Sequence, residues 1–218
     1  MADSKSNRKE PQFTVVMMAS NQAAEVEQNL PGFLEQDYEP GYEVVVVDES
    51  STDGTDDLLM RLKLEHPHLY TTFLPKHGPN TTRPKMGLNL GVKAAKYEWL
   101  VITSINTPPP SADWLKELAA YIDNSTPLTL GYISRKDGSV RLQPFSQLSQ
   151  AQPLISKAER RLGKGHQGKR LRYLCGKYDF VVTPTQTGHE ALNMYECNIS
   201  GWRLFWLRVR VMLYNLVH

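Results

Sequence analysis

Residues 43–55 read Glu43-Val44-Val45-Val46-Val47-Asp48-Glu49-Ser50-Ser51-Thr52-Asp53-Gly54-Thr55. Four consecutive valines leave no polar position to face water, so residues 43–47 predict a strand buried on both faces. The run stops at two acids, and residues 48–54 are turn formers that supply a bend and an N-cap. A helix over residues 55–65 follows, with Asp56 and Asp57 in the first turn, where the positive end of the helix dipole favours them. A buried strand feeding a helix through a short turn is half of a βαβ unit.

The same alternation extends in both directions. Upstream, residues 13–18 (FTVVMM) predict a buried strand, and residues 23–36 a helix interrupted or restarted at Pro31, because proline is tolerated only in a first turn. Downstream, residues 69–74 predict a third strand. After the polar loop 75–83, Pro84 opens a helix to residue 96, and residues 98–103 (EWLVIT) predict a fourth strand. Ser111 is expected to cap a helix through residue 123, and residues 128–134 to form a fifth strand. Short connections and repeated crossovers predict an α/β fold with a doubly wound, mostly parallel sheet and helices on both faces. Past residue 134 the periodicity weakens. Residues 143–152, rich in Gln, Ser and Pro, read as loop, residues 156–162 as a short basic helix, and residues 178–183 (YDFVVT) as a late strand.

A chain of 218 residues suits one core with appendages. Apolar residues at 40% and charged residues at 22%, with no long uncharged apolar run, exclude a disordered chain and a spanning helix. Residues 1–11 read as a flexible tail, neither a secretory signal nor an anchor. Cys175 and Cys197 form no CxxC pair, which argues against a disulfide framework and a structural zinc site and suits a cytoplasmic protein. The net charge of +2 hides an asymmetry: residues 1–155 carry 14 Lys/Arg against 19 Asp/Glu, residues 156–218 carry 11 against 4. Most of the excess lies in residues 157–177, where eight basic residues face Glu159 alone, a segment that reads either as a solvated loop or as a place for an anion. Tyr173 within this segment and Tyr178 directly after it are the only tyrosines near these charges, so nucleic acid is not the expected partner.

In open α/β sheets ligands bind at the carboxyl ends of the strands. Here those ends read Ala19-Ser20-Asn21, Asp48-Glu49, Pro75 and Ser104-Ile105-Asn106. No GxGxxG follows the first strand, which disfavours a dinucleotide site. The stretch from Gly163 to Gly168-Lys169-Arg170 fits GxxxxGK, but Arg stands where a hydroxyl must ligate magnesium, and the preceding KAERRL is charged rather than a buried strand.

Three segments, in order and with matching spacing, resemble the nucleotide-binding half of family 2 glycosyltransferases, which have the GT-A fold. Residues 44–55 resemble the family's strand-end run of the type VVVDDGSTDGT. Lys85-Met-Gly-Leu-Asn89-Leu-Gly91-Val-Lys-Ala-Ala-Lys96-Tyr-Glu-Trp-Leu is similar to its helix of the type KxxALNxGIKAAKGEYL, and residues 14–21 match its first strand. The resemblance divides the chain into a tail (1–11), a nucleotide-binding GT-A core (12–133), a basic, divergent acceptor-side region (134–201) and an apolar C-terminal helix (202–218).

That resemblance implies transfer of a sugar from a nucleotide-diphosphate donor, a UDP-sugar, to an acceptor hydroxyl with inversion, a hexosyltransferase type of reaction. It places Ala19, Asn21, Asp48, Glu49, Ser104 and Asn106 around the nucleotide, with Asp48 and Glu49 accepting from a base N–H or a ribose hydroxyl. Asp48 also reads simply as the cap of its own turn. Arg83 and Lys85 fall where the family places basic groups towards the nucleotide. The family's Asp-X-Asp becomes Ser104-Ile105-Asn106, so both carboxylates that would hold magnesium or manganese are gone, and a divalent metal cofactor is in question. Either basic residues neutralise the diphosphate or the fold is catalytically degenerate, binding a nucleotide-sugar or partnering an active enzyme.

The family's catalytic acid pair has its counterpart in His189-Glu190. Either side chain suits removal of an acceptor proton, and Glu190 equally suits a helix N-terminus. Residues 202–217 are apolar almost all round the helical wheel yet carry Arg203, Arg208 and Arg210. That pattern fits a core or partner helix and also a membrane surface, where a glycan or lipid-linked acceptor would be met. The expected location is cytoplasmic, peripheral at the inner membrane face.

Overall fold

Val44 to Val47 have no exposed surface, and the reason is their place in the sheet. Strand β2 (Tyr42–Asp48) lies between β1 (Phe13–Ala19) and β3 (Leu69–Phe73), and pairs in parallel with both. β4 (Trp99–Ile102) joins the far side of β1, also in parallel. The computed structural model describes residues 10–74, 83–122, 128–134, 137–145 and 179–187. Successive side chains of a strand point to opposite faces. Val15, Met17, Val44 and Val46 therefore meet α1 (Ala23–Leu34), α2 (Thr55–Glu65) and α4 (Trp114–Tyr121), whereas Val16, Val45 and Val47 meet α3 (Arg83–Ala94). Helices thus cover both faces, as the alternation predicts.

The sheet has seven strands in the order β3-β2-β1-β4-β7-β5-β6, completed by β5 (Leu128–Ile133), β6 (Val140–Phe145) and β7 (Phe180–Pro184). β7 runs antiparallel to β4 and β5, and β6 antiparallel to β5. Strands β1 to β5 consequently all point one way, with β6 and β7 reversed. Gly131 of β5 lies so close to β7 that a Cβ there would stand 2.0 Å from the Phe180 ring.

Three details differ from the expectations. α1 runs unbroken through Pro31 to Leu34. Phe33 and Leu34, both buried, hold the last turn on the sheet, and the amide of Glu35 closes it on the Pro31 carbonyl at 2.9 Å, so tertiary burial outweighs the local cost of proline. α4 starts at Trp114 instead of directly after Ser111. The buried Gln36 side chain takes over the capping, accepting from the Leu115 amide at 3.2 Å while donating to the Gly32 and Ser111 carbonyls. Residues 143–145, expected as loop, belong to β6, an edge strand where Pro144 costs no ladder bond on its outer side.

Candidate functional site

The chain moves outward from β1 to β2 to β3, then α3 carries it back across the other face to β4 on the opposite side of β1. The loops after β1 and β4 therefore diverge, and such a switch point leaves a crevice at the carboxyl edge. The register sets Ala19 opposite Asp48, and Val16 opposite Ile102. These pairings bring the ends of β1, β2 and β4 to one edge.

Asp48, the last residue of β2, is only 6% exposed. Both its oxygens accept from the Ser51 amide, at 3.3 and 3.2 Å, and the Ser51 hydroxyl donates to Oδ1. Asp48 thus caps its own turn, one of the two roles its position suggests. A carboxylate offers about four lone-pair sites, so the cap leaves acceptor capacity for a ligand.

The turn after β2 is stitched to the turn after β1. The Asn21 amide donates to Ser51 Oγ at 2.9 Å, and Asn21 Oδ1 accepts from the Thr52 amide at 2.8 Å. Asn21 and Ser50 both stand at positive φ, 49° and 55°. Asparagine adopts that conformation readily, whereas at serine it costs about 1 kcal/mol, which the surrounding bonds must offset. Asp53 accepts from the Ala23 amide at 2.9 Å and from the Thr55 hydroxyl at 2.6 Å. The Thr55 hydroxyl and these backbone N–H groups favour the charged form and hold the Asp53 carboxyl below the usual aspartate range.

The end of β4 is tied into the same network. Gln22 Nε2 donates to Asn106 Oδ1 at 3.0 Å, and the Asn106 amide donates to Ser104 Oγ at 3.3 Å. Asn21, Asp48, Glu49, Ser104 and Asn106 therefore share one rim. Ala19 contributes backbone only: its methyl is buried and its carbonyl accepts from the Glu49 amide at 2.8 Å. Arg83 and Lys85 open α3, and their side chains lie outside the described residues, as do His189, Glu190, residues 157–177 and residues 202–218.

Ser104 and Asn106 offer a cation two neutral oxygens, one of them already engaged by Gln22. Magnesium and manganese favour anionic oxygen, so this pair does not fit a resident divalent ion. Gln22, Ser51 and Thr55 are structural members of the rim that the sequence did not single out. Their side chains act through turns whose mutual placement only the sheet register reveals. Asp179, immediately before β7, also reaches this edge; the sequence predicts a strand over residues 178–183, but periodicity does not give a strand's direction.

The sequence model described as Glycosyl transferase family 2 matches residues 14–196. Comparison with curated proteins gives no match. Among solved structures, a mannosyltransferase, PcManGT from Pyrobaculum calidifontis, in complex with GDP-Man and Mn2+, is 30% identical over 55% of this chain and 34% of that one, with a TM-score of 0.47. TarS 1–349 of S. aureus in complex with UDP-GlcNAc is 25% identical over 54% of this chain and 33% of that one, TM-score 0.44. The M. tuberculosis glucosyl-3-phosphoglycerate synthase is 15% identical over 81% and 58%, TM-score 0.48. The chain spans about a third of the length of the first two.

Proposed function

The chain belongs to glycosyl transferase family 2, and from that premise we propose that it moves a hexose from a UDP-sugar to an acceptor hydroxyl with inversion at the anomeric carbon. The observation that carries the reading is the rim around Asp48: a buried carboxylate at the end of β2, held by Ser51 beside the ends of β1 and β4. A carboxylate there accepts from the uracil N–H or a ribose hydroxyl, with Glu49 as the second acceptor. Ser104 and Asn106 give neutral hydrogen bonds to the diphosphate, and Arg83, Lys85 and the basic residues of 157–177 supply its countercharge. The acceptor O–H attacks the anomeric carbon, the bond to the diphosphate breaks with its electron pair, and the proton passes to Glu190 or His189. The acceptor is a glycan or a lipid-linked molecule, met at a membrane surface by residues 202–218. A second reading, a degenerate domain that binds the nucleotide-sugar without transferring it, is favoured by the loss of both carboxylates at Ser104 and Asn106.

Calorimetric titration of UDP with and without manganese tests the binding. The expected result is binding that manganese tightens by less than about tenfold, or about 1.4 kcal/mol. In the double variant Ser104→Asp, Asn106→Asp, manganese is expected to matter more. A tenfold manganese effect on the unsubstituted chain contradicts the account. UDP bound without turnover of any UDP-sugar favours the second reading.

A further inference from the structure

Along the carboxyl edge of the parallel strands the order is β2, β1, β4, β7. Because β7 is antiparallel to β4, with Ile102 opposite Val181, its amino end meets the carboxyl end of β4. Asp179 immediately precedes β7 and so lies at this same edge, just past the end of β4. The Thr103 hydroxyl donates to the Asp179 carbonyl at 3.3 Å, whereas the Asp179 amide turns to β5 and donates to the Gly131 carbonyl at 2.8 Å. Carboxylate Oδ2 accepts from the Ile133 amide at 2.7 Å. Asp179 is half-buried, and among the described residues its Oδ1 receives no hydrogen bond. An acid is therefore fixed at this edge between the amino end of β7 and the end of β5, its backbone against Thr103, with one oxygen still able to accept.

We propose that Asp179 is the specificity-determining carboxylate of the donor-sugar subsite, accepting a hydrogen bond from a ring hydroxyl of a neutral hexose. The inference rests on the nucleotide reading given above. Neighbouring strands lie about 4.8 Å apart, so the three steps from β2 to β7 cover about 14 Å. A ribose and a diphosphate fill that span when the base sits at Asp48 and the phosphates at Ser104 and Asn106. The sugar then falls at the end of β7. A hydroxyl bonded to a carboxylate makes a charge-assisted bond, and a donor that lacks the hydroxyl leaves the acid unpaired. A hexuronic acid brings a second negative charge to the same place and is rejected.

The test is calorimetric titration of the full chain and of Asp179→Asn with UDP, UDP-glucose, UDP-N-acetylglucosamine and UDP-glucuronic acid. Asparagine still offers Ile133 an acceptor but has no charge. The expected result is that UDP affinity stays within about twofold, while the better-bound neutral UDP-sugar weakens about tenfold relative to UDP. Discrimination against UDP-glucuronic acid is expected to shrink in the same variant. Asp179→Ser, a second uncharged variant, is expected to repeat both changes if Asp179→Asn does not fold. A sugar-to-UDP affinity ratio that does not move overturns the proposal. So does an equal loss for UDP and UDP-sugar, which marks Asp179 as a support for β5 alone. Absence of any UDP binding by the unsubstituted chain overturns the nucleotide reading, and this proposal with it.

Discussion

Asp48 has two roles that substitutions can separate. Its carboxylate caps the Ser51 turn and, on the proposed reading, accepts from the nucleotide. Asp48→Ala removes both, and is expected to weaken UDP binding by about 1–3 kcal/mol and to lower stability by a similar amount. Asp48→Asn keeps an acceptor for the Ser51 amide, so its melting temperature should stay closer to that of the unsubstituted protein while the UDP affinity still falls. Equal UDP affinity in all three contradicts the assignment. Asp53 offers a pH test. Its hydrogen bonds to Thr55 and Ala23 depress its folded pKa, so its contribution to stability is complete above the unfolded aspartate value of about 3.9 and is lost as pH falls through the lower folded value. The gap in urea midpoint between the protein and Asp53→Asn should therefore be larger at pH 7 than in strong acid; an equal gap at both contradicts it. The place of Asp48 at the end of β2, and its cap on the turn that follows, were legible from sequence because the four valines stop there and turn formers follow. Gln22 was not, since its partner Asn106 lies 84 positions away.

Among the elements, α3 lies against the sheet through Gly87 and Gly91, one turn apart on one face. A Cβ on Gly91 would stand 2.5 Å from Val16 Cγ1 and 3.3 Å from Val47 Cγ2, in a β-branched wall that has little freedom to move. A Cβ on Gly87 would meet the Met18 terminal methyl at 2.5 Å, the far end of a flexible side chain. Gly91→Ala is thus expected to destabilise by about 1–3 kcal/mol through overpacking. Gly87→Ala should cost less, because Met18 can swing away and alanine favours the helix by about 1 kcal/mol. Thermal melts check the order, and a Gly87→Ala more damaging than Gly91→Ala refutes this account of the packing. The elements of the parallel half were readable because four-valine strands and short turns leave few alternatives. The helix through Pro31 and the start of α4 were not, because Phe33 and Gln36 act there through partners distant in sequence. β6 escaped notice because an edge strand needs no apolar run.

At the scale of the molecule, the order β3-β2-β1-β4 follows from crossovers that the sequence advertises, whereas β7 inserts between β4 and β5 from far along the chain. No local pattern encodes that insertion, and with it goes the position of Asp179. On the reading proposed above, a nucleotide binds on the shared edge of β1, β2 and β4. Amide hydrogen exchange, with and without saturating UDP, locates that binding, since exchange reports local opening segment by segment. Added protection is expected in residues 19–22, 48–55 and 103–107, with residues 140–145 of the outer strand unchanged. Protection confined to other segments, or none at saturating UDP, would contradict it.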